Sequence, residues 1–431
     1  MPQASSRRRF IGVILAVFIV AAAISPPVRA LLTFPDRVKL ADDNRYDLGF
    51  RVPFITVRCR DQSIIQTSSC DPFSVEARSG GTSAFDVLLF GKVPVKRVRV
   101  DVLPRLRLIP GGHSIGVLLR SKGVIVTGLS PVVNPVGQAK YPAKEAGIRQ
   151  GDVILTVNGE NVKSESHMAM AVNEAGKSGR IVEITAKSID GRIYTTFAKP
   201  EFCVETRRYR IGLWVRDGAA GVGTLTFLDP QAMRYAALGH IITDADTGRP
   251  LEVSDGEIVR ATVTAVESGR SGRPGEKIGV FVQDEDALGS IDMNSRYGIS
   301  GTLYRMLENP FYPEPLPIAM GHEVHVGPAE IITVVEEQRM EKFCAEIIKV
   351  AGSSDIDGKN LVIKITDPRL LKKTGGIIQG MSGSPIIQEG KLVGAVTHVF
   401  VNDPTKGYGV FIENMILESG IPLPGSAGFI F

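Results

Sequence analysis

Apolar and polar residues alternate along much of this chain, the period of a strand with one buried face. From Val93 to Leu103, Val98, Val100 and Val102 take one side and Arg97, Arg99 and Asp101 the other. From about residue 200, short apolar segments of strand length follow one another: Arg210–Asp217, Gly221–Asp229, Lys277–Gln283, Glu323–Val335, Cys344–Ala351, Leu361–Asp367, Ser384–Phe400 and Gly407–Glu413. Helical pattern is scarce there. It is clear at Ser164–Ala175, where Met168, Ala171 and Val172 share a face. Many short strands in succession predict a mainly β chain whose last unit is a β-barrel or a pair of barrels.

One apolar run does not alternate. Phe10–Ile24, fifteen uncharged residues, follows Arg7, Arg8 and Arg9. It is short for a membrane span and normal for a signal h-region. The basic cluster should stay inside, so everything after it is expected to be exported, anchored in the membrane or released on its extracytoplasmic side. Val28-Arg29-Ala30 passes as a cleavage site, and with Ser25-Pro26-Pro27 the run also serves as an uncleaved anchor, the reading favoured. Residues 1–30 are therefore read as a cytoplasmic basic tail and signal-anchor, and 31–104 as a β-rich stalk with an exposed loop.

Composition narrows the classes. With 43% hydrophobic residues in 431, the chain can bury the cores of two or three domains. A net charge of +4 with no basic face argues against a nucleic-acid partner. The four cysteines make no CxxC pair, which argues against zinc, while Cys59 and Cys70 flank a polar loop and can form a local disulfide.

Residues 105–199 form a clearer unit. A glycine-bearing loop enters a strand at Gly111–Leu119, a second strand follows at Gly123–Leu129, and then comes Ala143–Val162, AKEAGIRQGDVILTVNGENV. With Gly147, Gly151, Asp152, Asn158 and Gly159 at turn positions, this resembles a PDZ domain, an α+β module. Such a module captures a terminal carboxylate or carbonyl on free backbone N–H groups and adds the peptide to a strand edge. Gly112, His113, Ser114 and Ile115 are the expected loop, and Ile115, Gly116, Val117 and Leu118 the expected strand. The alternative is that the module packs on its neighbour and binds no free peptide.

The stretch with chemistry is Gly380–Pro385, GMSGSP. A serine needs a base and a stabilised oxyanion to act as a nucleophile. The glycines leave the turn uncrowded, so the N–H groups of Gly380 and Ser382 can converge on one oxygen. The plain alternative is a strand-to-strand turn. A β-hairpin follows rather than a helix, which separates this from the α/β-hydrolase elbow. Of six histidines, His113 lies in the expected PDZ loop, His167 on its helix, and His322 and His325 three apart on a predicted strand, the wrong spacing for a zinc pair. His398 reads as a substrate-pocket wall. His240, in ALGHIITDADTG, is left as the base. For the orienting acid, Asp244 and Asp246 lie close to His240, and Asp284, Asp286 and Asp292 fall in a polar loop. Asp367 ends the strand LVIKIT fifteen residues before Ser382, and is the choice, although Asp-Pro also simply initiates turns.

The order anchor, PDZ module, His…Asp-Pro…GMSGSP resembles the stage IV sporulation protein B family. The resemblance rests on RLRLIPGGHSIGVLL, ALGHIITDADTG and ITDPRLLKKTGGIIQGMSGSPIIQEGKLVGAVTHV. It implies a chymotrypsin-like double β-barrel serine endopeptidase over 200–431, preceded by the PDZ domain. By motif match Ser382 is the nucleophile, His240 the base and Asp367 the acid, with no metal or organic cofactor. It implies action in the space between the two membranes around the forespore. There such proteins cut themselves near the N-terminus. They also cut a membrane-bound inhibitor, freeing an intramembrane protease that processes the late mother-cell sigma factor. Two other readings remain: a general envelope quality-control protease, and a non-enzymatic PDZ scaffold.

Overall fold

The computed structural model describes residues 12–13, 25–41, 45–47, 54–68, 73–103, 106–281, 287–351 and 359–421. The arginine cluster, most of the Phe10–Ile24 run, Cys70, Asp284 and Asp286 lie outside the described residues, and the expected anchor and the Cys59–Cys70 bridge with them. Among the described residues no helix is long and apolar enough to cross a membrane.

The alternation at Val93–Leu103 is that of a central strand. It pairs in parallel with Arg37–Ala41 and antiparallel with Gly81–Leu89, and Ile55–Cys59 extends the sheet. A three-stranded sheet of Arg45–Asp47, Ser74–Ala77 and Ile65–Ser68 completes the unit. Leu40, Ile65, Phe85, Val98 and Val100 are buried in its core.

Two long strands set the rest of the architecture. Ser114–Leu129 and Leu213–Asp229 pair antiparallel from Leu213↔Leu129 to Thr224↔Ser114. Their first-barrel halves continue on one side to Val253–Arg260 and then Ala287–Ser290. On the other side they continue to Arg234–Ala237 and Gly298–Thr302. A bridge between Gly289 and Leu303 joins the two ends of the row. This is a six-stranded ring around Ile115, Leu225, Tyr235, Ile258 and Ile299. The other halves of the same two strands leave the ring and enter a separate core of Val124, Val126, Ile148, Ile154, Val172 and Ile184. Register shifts between Trp214 and Val215 and between Arg216 and Gly218 mark the crossing. A Cβ at Gly218 would sit 2.1 Å from Leu119 O, so only glycine passes there.

The PDZ-like unit is therefore inserted into the first hairpin of the barrel. The expected split into 105–199 followed by 200–431 does not match the strand pairing, because residues 109–110 and 114–119 already pair with barrel strands. The polar stretch Arg120-Ser121-Lys122-Gly123 reads in sequence as a turn between two strands, but the strand runs through it from one core to the other. The second barrel is closed, in the order Gly327–Glu336, Arg339–Val350, Leu361–Ile365, Asp403–Phe411, Lys391–Phe400, Pro385–Gln388. Ile331, Phe343, Ile347, Ile363, Ile386 and Val396 fill it.

Candidate active site

The GMSGSP loop enters the second barrel's strand Pro385–Gln388. Gly380 and Gly383 have φ of 88° and 94°, the left-handed region that favours glycine. At Gly383 space agrees with angle: a Cβ would lie 1.9 Å from Thr224 O. The backbone donors of the loop divide into two groups. Gln379 N–H donates to Gly275 O (2.8 Å), Met381 to Ile378 O (3.1 Å), Gly383 to Val396 O (2.8 Å) and Ser384 to Met381 O (2.9 Å). Those of Gly380 and Ser382 have no acceptor among the described residues. Two alternate N–H groups are thus left free beside the serine hydroxyl, the arrangement that an oxyanion requires. The Ser382 hydroxyl itself donates to Thr397 O at 2.5 Å.

Ser382 and His240 line one cavity of about 470 Å³ whose walls include Val117, Ile242, Ile377 and Val399. No Lys, Arg, Asp or Glu side chain is among its lining residues. A tight turn aims the histidine. Leu238 has φ 72° and Gly239 N–H donates to Ala237 O at 2.9 Å, a strained three-residue turn, and Gly239 follows at φ 74°. His240 Nδ1 lies 2.9 Å from Ile241 O. That contact requires the hydrogen on Nδ1 and leaves Nε2 as the acceptor, the tautomer of a base. Burial pushes the imidazole pKa down, so it is neutral at pH 7.

His398 was read as a pocket wall, and it does line the cavity, but it does more. Its ring lies 4.8 Å from the His240 ring, centroid to centroid. A register shift between Val396 and Val399 bulges the strand here, turning Thr397 O to Ser382 and the His398 ring to His240. Burial, and then the neighbouring His240, push His398 down to about 4. A bulge inside an apolar strand leaves no mark in a single sequence.

Asp367 is not brought to His240. It is the N-cap of the helix Pro368–Thr374, with Pro at the first helical position. Its Oδ1 accepts from Arg369 N–H (2.9 Å) and Nε (3.2 Å), and its Oδ2 from Arg369 Nη2 (2.9 Å) and Cys344 N–H (3.2 Å). The Arg369 side chain is the main reason its carboxyl is held down at about 2. Asp244 and Asp246 are also engaged elsewhere, on Arg216 at 3.0 and 2.8 Å. Asp292 pairs with Arg234. Among the described residues no carboxylate bonds His240; the backbone oxygen of Ile241 is its partner.

The expected peptide loop is likewise elsewhere engaged. Gly112 N–H donates to Leu225 O at 2.7 Å, and a Cβ there would lie 2.5 Å from Ile332 Cγ2. His113 is buried in place, Nε2 3.0 Å from Glu308 O, its pKa pushed by burial to about 4. Ser114 is buried, and Ile115, Gly116, Val117 and Leu118 are paired on both edges, with Ala220–Gly223 and with Glu257–Arg260. A strand saturated on both sides cannot accept a peptide as a third neighbour. The free edge lies in the inserted unit, at Leu213–Arg216, where only Ser114–Leu129 pairs with it. A groove of about 380 Å³ runs between this edge and the helix Glu165–Lys177, lined by Met168, Val172, Arg208, Tyr209 and Arg210. At its end Gly212 has φ 79°, and the N–H groups of Ile211 and Gly212 have no acceptor among the described residues. Ile211-Gly212-Leu213 repeats the apolar-Gly-apolar pattern that Ile115-Gly116-Val117 had offered in the sequence.

The two sites are joined. Arg216, where the PDZ-like strand enters the barrel, ties to Asp244 and Asp246 in the loop after His240. Arg249 of the same loop donates to Gly151 O at 2.6 Å.

Two family models match the chain. Residues 207–416 match the family described as SpoIVB peptidase S55, and residues 135–185 match the PDZ domain family. No curated protein is significantly similar to the chain. Among solved structures, the active form of the Rv3671c protease from M. tuberculosis is similar at 15% identity, over 48% of this chain and 77% of that one, with a TM-score of 0.26. Its inactive form is similar at 15% identity, over 46% and 84%, with a TM-score of 0.24.

Proposed function

We propose that this chain, a SpoIVB-family serine peptidase with a PDZ domain, cuts peptide bonds by acyl transfer to Ser382 with His240 as base. The observation that carries the reading is the pair of free N–H groups, Gly380 and Ser382, in one cavity with that histidine.

The Ser382 hydroxyl rotates off Thr397 O, and His240 Nε2 takes its proton as Oγ attacks the scissile carbonyl. The developing oxyanion lies between the Gly380 and Ser382 N–H groups, which need not reorient. Ile241 O holds His240 Nδ1–H and fixes the tautomer, a part that a carboxylate plays in the Ser-His-Asp arrangement. The imidazolium then protonates the leaving amine, and His240, neutral again, activates the water that releases the acyl group. His398 stays neutral at pH 7 and adds no repulsion to the imidazolium. Asp367 caps a helix and acts on stability.

The biological setting is inferred from the family and from the apolar N-terminal run. The protein is exported, anchored or released, in the forespore intermembrane space. It cleaves itself within about 31–75 and cuts the extracytoplasmic part of a membrane-bound inhibitor of an intramembrane protease. Peptide segments dock at the groove beside Glu165–Lys177, their terminal or internal carbonyl oxygen on the Ile211 and Gly212 N–H groups.

Incubation of the full-length protein with a purified inhibitor extracytoplasmic domain and, separately, with casein tests this. A discrete cut of the inhibitor domain with casein intact is expected, absent in Ser382→Ala. Equal digestion of casein would make it a general envelope protease. Loss of neither cut in Ser382→Ala would end the assignment of the nucleophile.

A further inference from the structure

The strand Glu276–Val280 presents its residues the wrong way round for an amphipathic strand. Ile278 and Val280 are 42% and 59% exposed, while Lys277 between them is 5% exposed. Its Nζ donates to Thr333 Oγ1 at 2.9 Å and to Thr224 Oγ1 at 3.3 Å. Thr333 belongs to the second barrel and Thr224 to the first, and both are fully buried. No acidic group among the described residues offsets the amine, and burial alone pushes its pKa down to about 7. An amine buried without a counter-ion is costly, and a methionine or leucine would fill the space at no such cost.

What the amine holds explains its presence. Thr224 Oγ1 donates to Gly380 O at 2.8 Å, so its single hydrogen is used and it can only accept from Lys277. Thr224 N–H donates to Ser382 O at 2.9 Å, and Lys277 N–H donates to Gln379 O at 2.9 Å. In a trans peptide the C=O and N–H point opposite ways. Fixing Gln379 O on the main-chain N–H of Lys277, a bond that does not involve the amine, therefore aims Gly380 N–H away from that strand. Fixing Gly380 O through Thr224 prevents the next peptide from turning over. A Cβ at Gly380 would lie 3.1 Å from the Lys277 side chain, so lysine and loop are in contact along its length.

We propose that Lys277 is a positioning residue of the hydrolytic site. Its amine, seated on Thr333, holds Thr224 Oγ1 in place on Gly380 O and so braces from beneath the loop that turns the Gly380 N–H to the substrate oxyanion. The clamp spans both barrels, so the oxyanion donors are set by how the barrels meet. This rests on the peptidase reading above and adds a residue to it.

The test uses the full-length protein, a fluorogenic peptide that wild type cuts, and a serine-reactive fluorophosphonate. Lys277→Met keeps length and removes the amine. It is expected to lower kcat by about 10- to 100-fold, less than loss of a whole oxyanion donor, with KM within about twofold. Thr224→Val should fall similarly, Thr224→Ser should recover most of that loss, and Lys277→Met/Thr224→Val should be no worse than the lower single variant. Thermal unfolding checks that each variant is folded. A folded Lys277→Met with wild-type kcat, or one that changes KM alone, overturns the clamp. So does a Thr224→Ser as slow as Thr224→Val. If wild type itself fails to react with the fluorophosphonate at Ser382, the peptidase reading fails instead, and the two failures are thereby told apart.

Discussion

Replacing Asp367 by alanine separates two roles that one aspartate can play. Alanine removes the N-cap of Pro368–Thr374, which costs about 1 kcal/mol. It also strips the charged acceptor from Cys344 N–H, a part-buried bond worth about 1.5 kcal/mol. The Arg369 side chain is 63% exposed, so solvent screens its ion pair and it adds little. The expected loss is about 2 to 3 kcal/mol of unfolding free energy. The pH dependence has a definite sign. The folded carboxyl is held below its ordinary 3.8, at about 2, so its contribution is complete above pH 3.8 and disappears as pH falls through 2. Urea unfolding of wild type and Asp367→Ala should therefore show a constant gap from pH 5 to 8 that closes in strong acid. The folded variant, assayed well below its unfolding temperature, should keep kcat within about threefold of wild type. Unchanged stability with a kcat lowered by about 10⁴, the signature of a lost triad acid, refutes this reasoning.

Other outcomes follow from the same geometry. Since burial lowers the His240 pKa from 6.5, kcat/KM should stay high below pH 6.5 and fall only through that lower value; a fall centred above 6.5 would contradict the neutral, buried base. Gly383→Ala leaves both catalytic side chains in place but drives a methyl 1.9 Å from Thr224 O, so fluorophosphonate labelling should slow by at least about 100-fold; a wild-type rate would mean the loop is held differently. The cavity walls carry no charge, so a peptide presenting an apolar residue to them should be cut at least about 100-fold faster than one presenting lysine or aspartate; equal rates would mean the substrate lies elsewhere.

The sequence was most legible where backbone geometry itself demands a residue type. Gly380 and Gly383 marked a turn with positive φ, and the free donors lie there. It was least legible where one pattern serves two outcomes. Asp-Pro after a strand marks an N-cap followed by Pro at the first helical position as well as a strand end. Arg120-Ser121-Lys122-Gly123 interrupts the apolar pattern of Ser114–Leu129 and reads as a turn between two strands of one module, whereas the strand runs on through it and its two halves face different cores, so the inserted unit was read as preceding the barrel. Ile115-Gly116-Val117 and Ile211-Gly212-Leu213 look alike in sequence, and only pairing on both edges disqualifies the first. Lys277 was hidden because KIGV reads with Ile278 and Val280 inward, the reverse of what the fold buries.

The central claim is that His240 and the Gly380/Ser382 donors act on one hydroxyl, and its most direct measurement is the site and rate of fluorophosphonate modification of the full-length protein. The account predicts a single adduct, mapped to Ser382, whose formation slows by about 10³-fold or more in His240→Ala. An adduct on another residue, or an equal rate in His240→Ala, would contradict it.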